Sequence, residues 1–171
     1  MSTYYLIASL PSLSVDQKVP LSSEKFLQAC EEQLAAHDAA AAYALMTQGA
    51  SAHPFVVAWR DKEAILRNAV AQQRARIRGI EATRWLHRTE GCDLMIERQV
   101  EEAFQQTDPL RVERALDAIR WRVAEELAGV DPLSVGVVLA YAIQLGIVMR
   151  WNALQADQGM DAFERLTELA K

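Results

Sequence analysis

The chain has 171 residues, 51% hydrophobic and 24% charged, an ordinary globular balance that excludes a wholly disordered polypeptide. That length suits one well-buried domain, and 7 Gly and 5 Pro among many Ala, Leu, Glu, Gln and Arg favour helix throughout. A formal charge of −5 makes the whole molecule a poor match for a phosphate backbone, so no nucleic-acid partner is expected.

The charge is unevenly spread. Residues 1–59 carry 2 Lys and 5 acids (net −3), residues 60–88 carry 8 Lys/Arg and 3 acids (net +5), and residues 89–171 carry 8 Lys/Arg and 15 acids (net −7). A basic middle thus lies between two acidic arms.

In chain order, residues 3–10 (TYYLIASL) are a short apolar run stopped by Pro11. Eight residues are too few for periodicity to separate strand from helix, and a short packed helix is the preferred reading. A loop follows to Pro20. Ser22 then reads as an N-cap, with Leu21 and Phe26 as a hydrophobic staple, opening a helix to about Ala36. His37 and Asp38 make a short break, and Asp38 is placed to cap an Ala-rich helix that ends at Gly49.

From Pro54 to Ile77 the spacing predicts a long amphipathic helix closed by Gly79, with Trp59, Leu66, Val70 and Ile77 as its apolar stripe. Arg60, Arg67, Arg74 and Arg78 recur one residue round from that stripe. A weaker helix is expected over Glu81–Arg88, broken at Glu90-Gly91, and another over Asp93–Gln106. Asp108-Pro109 is a cap-plus-proline start for a helix whose core face is Val112, Leu116, Ile119, Val123 and Leu127, ended by Gly129.

The stretch Asp131–Gln158 is the one around which the rest is organised. Asp131 and Pro132 read as its cap and first residue, and Gly159 as its left-handed C-cap. Val138, Tyr141, Leu145 and Val148 form one apolar stripe, and Leu139, Ile143, Ile147 and Trp151 a second beside it. A helix with two apolar stripes must be covered on more than one side. A last helix is expected over Asp161–Ala170. The fold class is therefore all-α: a mostly antiparallel bundle around a central apolar helix at about 132–158, one domain over residues 1–171.

Leu133–Trp151 is the only transmembrane candidate. Ser134, Gly136, Gln144 and Gly146 interrupt it and Arg150 sits near its end, so a soluble core helix is preferred. The start, MSTYYLIASLPSLS, lacks the basic region of a secretory signal. Cys30 and Cys92 are isolated, which suits buried thiols in a reducing cytosol and gives a cytoplasmic localisation.

Chemistry-bearing motifs are absent. His37, His53 and His87 are scattered in the sequence with no metal-ligand spacing, and neither phosphate-cradling glycine loop occurs. No metal, cofactor or catalytic residue is expected, and the chain reads as a non-enzyme. The arginine stripe is the strongest polar feature. Arg60, Arg67, Arg74 and Arg78 either grip an anionic partner (an acidic protein, lipid head groups or a nucleic-acid backbone), or form a solvated helix face, or pair internally with Glu97, Glu101 and Glu102. Of Trp59, Trp85, Trp121 and Trp151, most are expected in the core and one as an interface anchor.

Four stretches carry a resemblance: YYLIASLP at 4–11, PLSSEKFLQAC at 20–30, LRNAVAQQRARIRG at 66–79 and LAYAIQLGIVMRW at 139–151. In order and spacing they resemble a bacterial family of unassigned function. That family is itself similar to the stalk-socket component of V-type (A/V-type) ATP synthases, which seats the central stalk on the membrane rotor ring. The resemblance implies an all-helical, non-catalytic component that binds no nucleotide. It implies protein partners, the central-stalk and rotor-ring subunits, and a peripheral position on the cytoplasmic face of the inner membrane. The chain is about half the length of a full stalk socket, which is built from three similar bundles. A rotor part, an assembly factor and an adaptor outside that machine therefore remain open, with a small-molecule enzyme as the remote alternative.

Overall fold

Val138 to Ile143 are six successive residues that are all buried, which a helix permits only when neighbours surround it. They belong to the central helix of a computed structural model that describes residues 3–89 and 91–154. Among the described residues there are seven α-helices and no strand: α1 (Thr3–Ser9), α2 (Ser23–Gln33), α3 (Ala36–Thr47), α4 (Pro54–Arg78), α5 (Leu94–Ala103), α6 (Pro109–Ala128) and α7 (Val135–Ala153).

Around α7 pack α1, α3 and α6. One apolar cluster joins α1, α2, α3, the start of α4, the end of α6 and α7, through Leu6, Phe26, Cys30, Val56, Ala124 and Leu139 among others. A second joins α4, α5 and α6 through Leu66, Val70, Ile96, Val100, Leu116 and Ile119. Trp59 and Leu127 border both clusters, so α4 and α6 thread the whole molecule.

Cross-helix pairs fix the directions. Ala128 lies against Gly136, Glu125 meets Gln144 and Asp117 meets Arg150, so α6 and α7 are antiparallel. Glu63 with Arg120, and Arg74 with Glu113, make α4 and α6 antiparallel as well. Lys62 with Asp93, and Arg76 with Glu101, make α4 and α5 parallel. α4 and α5 run parallel because residues 79–93 carry the chain back along α4.

This return path is where the expected helix at Glu81–Arg88 fails: only Thr83–Trp85 turns, as a 3₁₀ helix. The Asn68 side chain holds the returning segment, donating to the His87 carbonyl (2.8 Å) and accepting from the His87 amide (2.7 Å). With both its amide and its carbonyl taken by Asn68, His87 has neither group free for helical hydrogen bonds at the end of the expected helix.

Several boundaries differ from expectation. The central helix begins at Val135, not Pro132: Asp131 accepts from the Leu133 amide (3.0 Å) and so shapes the turn before the helix, and Ser134 is the N-cap. That turn is tight because Gly136 packs on the Ala128 backbone. The second helix stops at Gln33, and α3 starts at Ala36 with no side-chain cap, Asp38 instead facing His53. The Ala-rich helix, expected to end at Gly49, ends at Thr47, and Gln48, at φ 56°, takes the left-handed C-cap position. Ile77 is exposed, whereas Ala75 is the buried residue at that end of α4. α7 ends at Ala153 with Leu154 as its C-cap, short of the expected end at Gln158, and the positions of Gly159 and of the helix at Asp161–Ala170 lie outside the described residues.

The other starts agree: Ser22 accepts from the Lys25 amide, Asp93 from Met95 and Ile96, and Asp108 from Leu110. α7 is the one described helix long and apolar enough to cross a membrane, and just over half of it is buried by its neighbours.

Candidate partner-binding cleft

Helix α4 places residues 67, 71, 74, 75 and 78 on one face, by its 3.6-residue period. Two of the five are alanines between three arginines, so the face is notched. Packing α6 and the end of α7 beside it turns the notch into a cleft of about 530 Å³. Its floor is Val70, Ala71, Ala75 and Leu116, and Ile80 and Trp85 of the returning segment form one wall. Arg67, Arg74 and Arg78 line it together with Arg120 and Arg150.

A second cleft, about 840 Å³, opens on the other side of Arg67, Arg120 and Arg150, which it shares with the first. Arg60 lines only this second cleft, near its own acceptor, the Gly49 carbonyl. The structure thus gathers three of the four stripe arginines into one cleft and sets Arg60 apart. Arg120 and Arg150 are not visible as site residues in the sequence, because they come from helices whose register against α4 is a property of the packing.

Two carboxylates organise the arginines. Glu63 accepts both from Arg120 (Nε to Oε2 3.0 Å, Nη2 to Oε1 3.1 Å) and from Arg67 Nε (2.9 Å). Asp117, only 2% exposed, accepts from Arg120 Nη1 (3.1 Å), Trp151 Nε1 (2.7 Å) and Arg150. A buried carboxylate with three donors is fully satisfied, and the donors lock three helices in register. Arg120 has its three nitrogens committed to this network. Arg67 engages only Nε, which leaves its terminal nitrogens without a protein partner among the described residues, and it borders both clefts.

Arg74 meets Glu113 at 3.2 Å across an exposed pair, and Arg78 has no carboxylate partner among the described residues. None of the stripe arginines pairs with Glu97, Glu101 or Glu102. Arg76 takes Glu101 and Arg98 takes Glu102, because α5 lies along a different side of α4. Five arginines therefore face three carboxylates (Glu63, Glu113 and Asp117), a cationic excess in a cleft of a chain that is acidic overall.

Trp85 is the most exposed of the four tryptophans (44%), with the Arg84 guanidinium 4.5 Å from its ring centroid. Trp59, Trp121 and Trp151 are half-buried. Cys30 is buried and its burial pushes the thiol up to about 12, which makes it inert; Cys92 is exposed.

The histidines expected to be scattered are not all so. His37 and His53, sixteen positions apart, both reach Oδ1 of Asp38 (3.2 and 3.1 Å). The set is better suited to capping than to a cation. His53 Nδ1 accepts from the Phe55 amide (3.2 Å) at the start of α4, which leaves its proton on Nε2, facing Asp38. The group also sits at the first turns of α3 and α4, whose dipoles oppose positive charge.

A family model described as "Protein of unknown function (DUF2764)" matches residues 91–171, just under half of the chain and inclusive of α5, α6 and α7. The chain is similar to that family over this part, and the description assigns it no activity. No curated protein and no solved structure matches the chain.

Proposed function

We propose that this chain is a non-catalytic helical adaptor whose arginine cleft receives an acidic surface of a protein partner. The observation that carries the reading is the cationic excess of the cleft, in which Glu63 and Asp117 hold Arg67, Arg120 and Arg150 in place beside the exposed Arg74 and Arg78. Guanidinium groups held in place lose little freedom when a carboxylate arrives, so more of each charge-assisted bond appears as affinity. The four sequence stretches that resemble relatives of the V-type stalk socket make a V-type ATPase the assembly in which such a partner is sought, with the central stalk and the rotor ring as the two surfaces. On this reading the chain is cytoplasmic and peripheral on the inner membrane.

The experiment is co-purification with stalk and ring subunits, for the native chain and for Arg67→Gln with Arg74→Gln. The double variant should lose association at least tenfold and keep its melting temperature within a few degrees, because exposed pairs contribute about 0–1 kcal/mol each. Association of the native chain should weaken as salt rises, since exposed charges are screened over about 8–10 Å near physiological ionic strength. A chain that purifies alone, from a locus without ATPase genes, removes the V-type assignment. Unchanged association of the double variant removes the cleft from the reading.

A further inference from the structure

The cleft has more structure than a basic patch. Arg67 and Arg74 stand two turns apart on α4, about 10.5 Å along the axis, and Arg67 and Arg78 about 16.5 Å. Between them the alanines at 71 and 75 remove side-chain bulk, leaving an apolar hollow backed by Val70 and Leu116. Trp85 and Ile80 stand over one side of the hollow, and the Asn68 clamp on His87 holds the segment that carries them. Arg84 lies over one face of the Trp85 ring, which holds the indole in place. Cationic groups therefore flank an apolar, partly aromatic hollow at both ends.

Resting on the reading of this cleft as a protein-binding surface, we infer that its ligand is an extended segment of the pattern acid–x–aromatic–x–acid. In an extended chain alternate side chains share a face, so positions one, three and five point the same way. The two acids are then about 13–14 Å apart, between the two arginine spacings, and the aromatic side chain falls midway, over the alanines. Two carboxylates also match the excess of five arginines over three acids. The aromatic ring meets Trp85 at its edge or in an offset stack. A segment with acids alone leaves the hollow filled by water, and one with an aromatic residue alone leaves the arginines unanswered.

The probe is the capped pentapeptide acetyl-Glu-Ser-Phe-Ser-Glu-amide, titrated calorimetrically into the full chain. One-to-one binding is expected, at least tenfold weaker for the peptide with both Glu replaced by Gln and at least fivefold weaker with Phe replaced by Ala. Arg78→Gln and Trp85→Ala should each weaken the native peptide at least fivefold with unchanged melting, since neither group supports the buried network. Equal binding of the Gln peptide, equal binding of the Ala peptide, or no binding at millimolar peptide each overturns the inference. Failure here with intact co-purification of stalk or ring subunits sinks the ligand class and spares the adaptor reading. Peptide binding without co-purification does the reverse for the V-type assignment.

Discussion

At the scale of single residues, two glycines of α7 make opposite statements. A Cβ on Gly136 would lie 2.8 Å from the Ala128 carbonyl oxygen and 3.1 Å from its Cα, and backbone atoms cannot move aside. Gly146 has nothing within 4 Å of such a Cβ. Gly136→Ala should therefore cost about 1–3 kcal/mol through overpacking, despite alanine's better helix propensity. Gly146→Ala should add roughly 0.5–1 kcal/mol from propensity alone. Urea denaturation of the two variants checks both signs. The same sign for both would mean that α6 and α7 do not meet at Gly136.

Asp117 supplies the other residue-scale expectation. Its removal in Asp117→Ala leaves Arg120 with Glu63 as its remaining acceptor, and takes the acceptor from Trp151 Nε1 and from Arg150, which can still reach water. The loss should be about 1–3 kcal/mol, the cost of a buried donor left without its acceptor, because Arg120 keeps Glu63 and Arg150 is half exposed. A loss below about 0.5 kcal/mol, the scatter expected of an ordinary surface change, would show that the network does not hold the three helices in register.

At the scale of elements, α5 depends on one side chain at its start. Asp93 caps two amides with Oδ1 and takes Lys62 Nζ on Oδ2 at 2.5 Å. The Lys62 hydrogen bond is the main cause that holds its carboxyl below the ordinary carboxylate range, aided by the two amides and opposed by partial burial. A folded value below the unfolded one means the stabilisation is complete above the unfolded value and is lost as pH falls through the folded one. Asp93→Ala should cost about 1 kcal/mol at neutral pH, a typical cap. The gap between variant and native chain should narrow as pH drops below about 4. A gap that stays constant from neutral pH down to about pH 3 would mean that the charge of Asp93 contributes nothing.

At the scale of the whole molecule, the two apolar clusters share α4 and α6, with Trp59 and Leu127 at their border. Neither cluster keeps its walls if those helices melt, so thermal unfolding should be a single transition. Far-ultraviolet and near-ultraviolet circular dichroism should report the same midpoint. Separate midpoints would make the chain two cooperative units and would contradict a single domain over residues 1–171.

Local chemistry in the sequence was enough for the all-helical class, for most helix starts, and for the hub at α7. Capping side chains act within three residues, and an apolar run such as Val138–Ile143 must be covered wherever it lies in a fold. The stripe of Arg67, Arg74 and Arg78 was legible for the same reason, being a property of one helix. Its meaning was not. The parallel course of α4 and α5, the pinned return path at Asn68 and His87, and the meeting of His37 with His53 all depend on how helices are set beside one another. So does the arrival of Arg120 and Arg150 at the stripe. Those placements follow from side-chain packing summed over many distant pairs, which no local spacing encodes. The sequence determined that α4 carries arginines; only the tertiary structure made them the lining of a cleft with a hollow between them.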